Sequence, residues 1–160
     1  PYCSAVCCLA SMKQATYIRE QYPEAEIHLY YIDVRSPGRM EDFYTKVQED
    51  EKFFFHRGKV GKITEKPDTG NVVLHAENTL TGEVTETEVD MAVLATGMVP
   101  NTVDVAPPLE TALDEFGFIA PDGDKGVISA GVASRPLDVA SSIQDATGAA
   151  LKAINVGRRS

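Results

Sequence analysis

The chain is poor in the residues and patterns that would place it in most specialised classes. It has three cysteines in 160 residues, all within a six-residue stretch as Cys3, Cys7 and Cys8. An odd number so crowded is a poor disulfide framework for a secreted protein and points to a reducing, cytoplasmic compartment. No apolar run approaches the ~18 residues of a membrane span. No secretory signal peptide is visible. Positive charge is scarce: 15 Lys and Arg stand against 24 Asp and Glu, a net charge of −9. That argues against nucleic acid as a partner and against an anionic membrane surface. There is no GxGxxG phosphate loop, no CxxC dithiol, no paired-carboxylate signature and no Ser/His/Asp set with recognisable spacing, so no residue is assigned as catalytic. His28, His56 and His75 share no motif and carry no assigned role. What remains, at 43% apolar and 24% charged, is an ordinary globular composition.

The local patterns read as α/β. Val6, Leu9, Met12 and Tyr17 or Ile18 fall at helical spacing, and Pro23 stops that helix near Gln21. Residues 27–34, IHLYYIDV, are β-branched and aromatic and predict a strand. Met40 to Gln48 predicts a short helix. Phe53 starts a strand that Gly58 to Thr64 continues or bends. Turn signals at 66–70 and 79–82 then predict two hairpins, hence a three-stranded antiparallel meander.

The stretch VDMAVLATGMVPN, residues 89–101, predicts a buried parallel strand over Met91–Thr96, bounded by Gly97 and Pro100. Beyond it the pattern predicts a helical turn at 109–113, a strand at 116–119, a turn at 121–124 and a buried strand at 126–130. A helix follows from Arg135–Pro136 to Ile154, with Val139, Ile143, Ala146, Ala150 and Ala153 facing inward. Gly148 in mid-helix predicts a close neighbour. The order predicts a Rossmann-like α/β domain lacking its first strand, with an inserted antiparallel β-meander, and part of another α/β unit after it. The boundaries expected are 1–98, 99–156 and a tail at 157–160.

Three groups of residues could carry chemistry. Cys3 and Cys7 are four apart and share a helix face, with Cys8 about 100° further round. Thiolates are soft ligands for iron–sulfur clusters, zinc or copper(I), and a cubane cluster takes four. The alternative is that these are small core residues. The strand ends Thr96–Gly97 and Gly131–Val132 could let a backbone approach a cofactor, or serve only as turns. The helix N-terminus after Pro136 offers amide dipoles to an anion, and Asp138 there also suits a plain capping role. Asp33 with Arg35 reads as a solvated surface pair.

Several segments together resemble a known family. VDMAVLATGMVPN, DEFGFIAPDG, GVISAG and PLDVASSIQDATGAALKAI look like the joining stretch and second FAD half of flavin-dependent pyridine nucleotide–disulfide oxidoreductases. YCSAVCCLASMKQA is similar to the A subunit of heterodisulfide reductase, and to that of the quinone-interacting membrane-bound oxidoreductase complex. The resemblance implies that the Rossmann-like domain is nicotinamide-type and is followed by the C-terminal half of an FAD-binding domain, in a parent that is an FAD-dependent oxidoreductase carrying FAD and a [4Fe–4S] cluster. Cys3, Cys7 and Cys8 would be metal ligands, joined by a cysteine from further upstream. Thr96, Gly97, Gly131, Val132 and the helix end at Asp138 would be cofactor-binding. Val132 stands where the wider pattern has an acid for the flavin ribitol. Partners implied are other redox subunits of a membrane-associated complex, with the protein cytoplasmic or peripheral to the membrane. Pro1 leads straight into a helical pattern, which predicts an excised piece: inactive alone, binding neither cofactor tightly, and self-associating or disordered after about Asn101. An NAD(P)H-dependent disulfide reductase and a non-catalytic subunit-docking domain are the alternative readings.

Overall fold

The computed structural model describes residues 2–3, 6–121 and 126–158. It is a mixed α/β protein with a four-stranded mixed sheet and, among the described residues, three α-helices. The chain divides into two compact units. One runs from Cys8 to Ala95, and the other joins the residues up to Cys7 with those from Thr96 onward.

The first unit holds α1 (Val6–Gln21) from Cys8 onward, β1 (Ile27–Tyr31), α2 (Met40–Gln48), β2 (Phe53–Glu65), β3 (Val72–Asn78) and β4 (Val84–Val89). The sheet order is β1-β2-β3-β4. β1 and β2 are parallel, from Ile27 opposite Phe53 to Tyr31 opposite Arg57. Parallel strands need a crossover, and α2 supplies it. Glu41 and Asp42 in its first turn and Lys46 in its last suit the helix dipole.

Side chains alternate across a strand, so the β1–β2 pair has two different faces. Ile27, Leu29, Phe53 and Phe55 meet α1 and α2 around a core of Met12, Ala15, Val47 and Phe53. The other face carries His28, Tyr30, Phe54 and His56. Arg19, near the end of α1, fastens the helix to its surroundings. Its guanidinium donates to both carboxylate oxygens of Asp50 at 2.8 and 3.1 Å and to the carbonyls of Pro23 and Ala25. The hydrogen bond from Arg19, with that of the Lys52 amide, holds the Asp50 carboxyl below the usual carboxylate range.

β2 is long enough to pair with different neighbours along its two halves. It pairs with β1 up to Arg57 and antiparallel with β3 from Gly58 onward. A register shift between Val60 and Lys62 bends it. Gly70 and Gly82 take positive φ values of 75° and 71° in the two hairpin turns, where a side chain would be strained. The expected meander is thus present, and α2 spans the residues expected of it.

The run expected as a buried strand is not one. Residues 91–100 belong to no strand, and Met91, Val93 and Leu94 are 72%, 66% and 67% exposed. A strand of this composition is buried only with neighbours beside it and cover on both faces. β4 ends at Val89, and the run after it pairs with no strand of the sheet.

The second unit has little regular structure before its helix, α3 (Val139–Gly157). Short 3-10 turns occupy Asn101–Val103 and Gly131–Ala133. The expected helical turn at 109–113 is absent, and Leu113 instead forms an isolated bridge with Ile119. The expected strand at 116–119 reduces to that bridge. Asp114 folds the loop between them, its carboxylate accepting from the Phe116 and Phe118 amides at 2.9 and 2.8 Å. The residues of 126–130 form no regular strand, since none of the described chain runs alongside as a ladder. Most of the turn expected at 121–124 and the end of the tail at 159–160 lie outside the described residues. Gly157, expected to open that tail, is the last residue of α3.

α3 begins at Val139, four residues later than Arg135. Asp138 is its N-cap, accepting from the Ser141 amide at 2.8 Å. The face that packs is also different from the one expected. Ser142 and Asp145 lie against the turn at Gly131, whereas Val139 and Ile143 are 78% and 65% exposed. Nothing lies within 4 Å of a Cβ built on Gly148, so no close neighbour explains that glycine.

Candidate functional site

The three thiols come first in the chain. Cys7 and Cys8 sit in the opening turn of α1, and Cys3 precedes it. Cys3 is exposed, Cys7 and Cys8 are half-buried, and none is joined in a disulfide. The Cys8 Sγ lies 3.8 Å from the Asp33 carbonyl oxygen, a weak donor contact. The first turn of α1 contains no acid. A helix N-terminus without competing carboxylates suits an anionic group. The donors therefore fit a thiolate-ligated metal in kind. They are not assembled as a centre: among the described residues no three His, Cys, Asp or Glu side chains are gathered as a metal ion would need.

The residues expected around a flavin lie in the second unit, and most have partners within the chain. Gly97 has φ 88°. A Cβ there would stand 2.8 Å from the Tyr2 carbonyl oxygen, and the Met98 amide donates to that same oxygen at 2.8 Å. The Tyr2 ring stands edge-on to Phe116 with centroids 5.9 Å apart. The missing side chain at Gly97 thus admits the chain's own backbone. Gly131, with φ 61°, is closed in the same way by Ser142, whose Cβ would be 3.3 Å from a side chain at 131. Asp138 caps α3, and the Ser141 amide and hydroxyl hold its carboxyl below the usual range. Thr96 is exposed.

Val132 of this set borders a cleft. The cleft has a volume of about 380 Å³ and is lined by Met98, Pro100, Thr102, Phe118, Val132 and Pro136, among others. That is toward the lower end of the ~300–1,000 Å³ range of small-molecule sites. Its lining is chiefly apolar, with Asn101 and Thr102 as polar groups.

Asp145 is the site residue that sequence reasoning missed. One of its carboxylate oxygens accepts from the Gly131 amide at 2.8 Å and lies 3.4 Å from the Ser134 hydroxyl. The other accepts from Arg135 at 3.1 Å. The Gly131 amide is the main cause of its lowered pKa. This carboxylate fixes the turn that borders the cleft. A signal was present: Asp138, Ser142 and Asp145 recur at helical spacing on one face, about a quarter turn round from the apolar stripe. Asp145→Ala is expected to leave α3 formed and to speed hydrogen exchange of the Gly131 amide severalfold, as read by NMR. The folded pKa is depressed, so the contact is complete above the unfolded carboxyl value near ~3.9 and is lost as pH falls through the lower folded one.

No family model matches the chain. Individual relatives do. It is 39% identical over 165 residues to the second iron–sulfur A subunit of the CoB–CoM heterodisulfide reductase of Methanopyrus kandleri, covering 96% of this chain and 25% of that protein. Identity is 37% to the A subunit of the H(2):CoB-CoM heterodisulfide,ferredoxin reductase of Methanothermobacter thermautotrophicus, covering 96% of this chain and 25% of the relative. It is 38% to the A subunit of the ferredoxin:CoB-CoM heterodisulfide reductase of Methanosarcina acetivorans, covering 95% of this chain and 20% of the relative. The chain is homologous to a segment of the heterodisulfide reductase A subunit. It spans about a quarter of the length of the first two of these relatives. The names of this family, reductases whose A subunit is an iron–sulfur protein, agree with the resemblance carried by the cysteine run and the ATG stretch. No helix among the described residues is long and apolar enough to cross a membrane.

Proposed function

We infer that this chain is part of an electron-transfer subunit that holds an iron–sulfur cluster and a flavin in a heterodisulfide-reductase-type complex. The observation that carries this is the identity of 34–39% over about 95% of the chain to subunits of that name. Within it, Cys3, Cys7 and Cys8 are cluster thiolates and a fourth comes from outside this sequence. The acid-free N-terminus of α1 supports that role. Loop backbone at Thr96–Gly97 and Gly131–Val132, with the α3 N-terminus at Asp138, is the flavin-facing part. The first unit is a Rossmann-like nicotinamide-type domain and the second the C-terminal half of an FAD domain. When bound, a flavin supplies exchange between hydride and single-electron chemistry. The residues here orient it and limit its contact with water. Electrons pass through partner subunits to a disulfide or a quinone. The segment alone is inactive, and the uncovered apolar residues of α3 and of 91–94 support its self-association.

Anaerobic iron–sulfide reconstitution of the full-length parent protein tests the ligand assignment. The intact protein is expected to give one more [4Fe–4S] signal in absorbance and EPR than Cys3→Ala, Cys7→Ala or Cys8→Ala. Iron content is expected to fall by about four per chain in each variant. Three variants that keep the full signal and full electron transfer would instead establish a docking role for this segment.

A further inference from the structure

His28 on β1 and His56 on β2 carry no motif, yet the parallel register brings them together. Tyr30 stands opposite His56, and His28 opposite Phe54, so the two histidines are diagonal neighbours on one face. Nδ1 of His28 lies 2.9 Å from Nε2 of His56. The ring planes differ by 14° and the centroids are 5.1 Å apart, close to the largest separation that a 2.9 Å contact allows. The two nitrogens therefore meet head-on with one proton between them. Phe54 stacks on His28 at 5.0 Å and Tyr30 on His56 at 4.7 Å. The Tyr30 hydroxyl in turn donates to Thr87 on β4 at 2.7 Å. A ring stack anchored on the two imidazoles thus ties the parallel pair to the meander.

We propose that His28 and His56, edge to edge across β1 and β2, act as a proton-gated latch that holds Tyr30 against β4 and opens when both imidazoles are protonated. Counting protons gives the order of events. In the neutral pair each ring has one N–H, and one of the two hydrogens lies in the contact. With His28 donating, a first added proton goes to the outer Nε2 of His28, 4.0 Å from a Glu26 carboxylate oxygen. The contact survives this step and becomes charge-assisted. A second proton must go to Nε2 of His56, which sets N–H against N–H at 2.9 Å and two cations side by side.

The titratable groups that the structure places against the pair are Glu26 and Tyr30. The Tyr30 ring face tempers a charge on His56 but leaves the facing hydrogens in conflict. Burial first, and the neighbouring His28 second, push the His56 pKa below the ordinary imidazole value. A base depressed in the fold contributes stability that is complete above its unfolded pKa and is lost as pH falls toward the folded one. The latch therefore opens on the acid side of ~6.5.

An NMR titration of the imidazole carbon-bound protons from about pH 8 to 4.5, on the whole chain, tests this. Two steps more than about one unit apart are expected, as for strongly coupled sites. The Thr87 and Tyr30 amide resonances should move with the second step and not with the first. His56→Gln, which keeps a polar contact and cannot titrate, should leave one step and remove the acid response of Thr87. If that variant does not fold, His28→Gln serves, and the wild-type titration decides by itself. Two imidazoles titrating independently near ~6.5, or Thr87 resonances indifferent to the second step, would overturn the latch.

Discussion

Gly58→Ala is expected to cost the first unit about 3 kcal/mol, the upper part of the range for overpacking. Gly58 is buried and is the residue at which β2 leaves β1 and takes up β3. The parallel register ends at Arg57, and the antiparallel one begins with Gly58 opposite Asn78. A Cβ at 58 would stand 2.5 Å from the Glu77 carbonyl oxygen, 3.3 Å from its carbon and 3.5 Å from the Asn78 Cα. All three atoms are backbone of the neighbouring strand, so no side chain can swing aside. Relief requires β3 to shift, which strains its register with β2 and with β4. Gly61, three residues on in the same strand, is the control, because nothing lies within 4 Å of its Cβ position. Gly61→Ala should fall within about 0.5 kcal/mol of the parent. Urea titrations of the three proteins measure both. Equal midpoints for Gly58→Ala and Gly61→Ala would show that the strand crossing at 58 is looser than the structure has it.

The same contrast between local and long-range information explains what the sequence disclosed. Helix α2, the hairpin turns and the end of α1 before Pro23 rest on spacing, turn chemistry and proline, all written within a few residues. The apolar run at 91–96 was misread because its composition describes a strand with neighbours, and composition cannot say whether neighbours are present. The stripe of Val139, Ile143 and Ala146 was misread for the same reason. Apolarity marks a face suited to burial, while the face that α3 buries here was fixed by the small Ser142 and by Asp145. The His28–His56 contact depends on the register between two strands separated by a helix, which no periodicity within either strand encodes. Around the candidate site, the cysteine run stands out in the sequence because its pattern is local. The closures of Gly97 by the Tyr2 backbone and of Gly131 by the Ser142 side chain do not, since each partner comes from a separate segment of the chain.

Met12→Ala is expected to lower stability by about 2–5 kcal/mol, the range for truncating a fully buried large side chain. Met12 is the largest side chain with no exposure, at 0%, and it joins α1 to Val47 of α2 and Phe53 of β2. The helix has few other anchors. Only Met12 and Ala15 are buried along its 16 residues, and Ala15 has little surface to contribute. Arg19 holds the C-terminal end through Asp50, so the methionine is the main apolar tie in the middle of the helix. Removing it leaves a cavity bordered by aromatic rings that cannot close over a deleted thioether. Met12→Leu keeps volume and should cost less than ~1.5 kcal/mol. The consequence reaches Cys7 and Cys8, which share this helix. Hydrogen exchange in α1 should accelerate in Met12→Ala, and thiol reactivity of Cys8, half-buried in the parent, should rise with it. Denaturant unfolding with an unchanged slope gives the energy, and the rate of Cys8 alkylation gives the coupling. A loss below ~1 kcal/mol, less than the cavity range, would place the anchorage of α1 on the Arg19–Asp50 pair instead, and Arg19→Ala would then be the more damaging change.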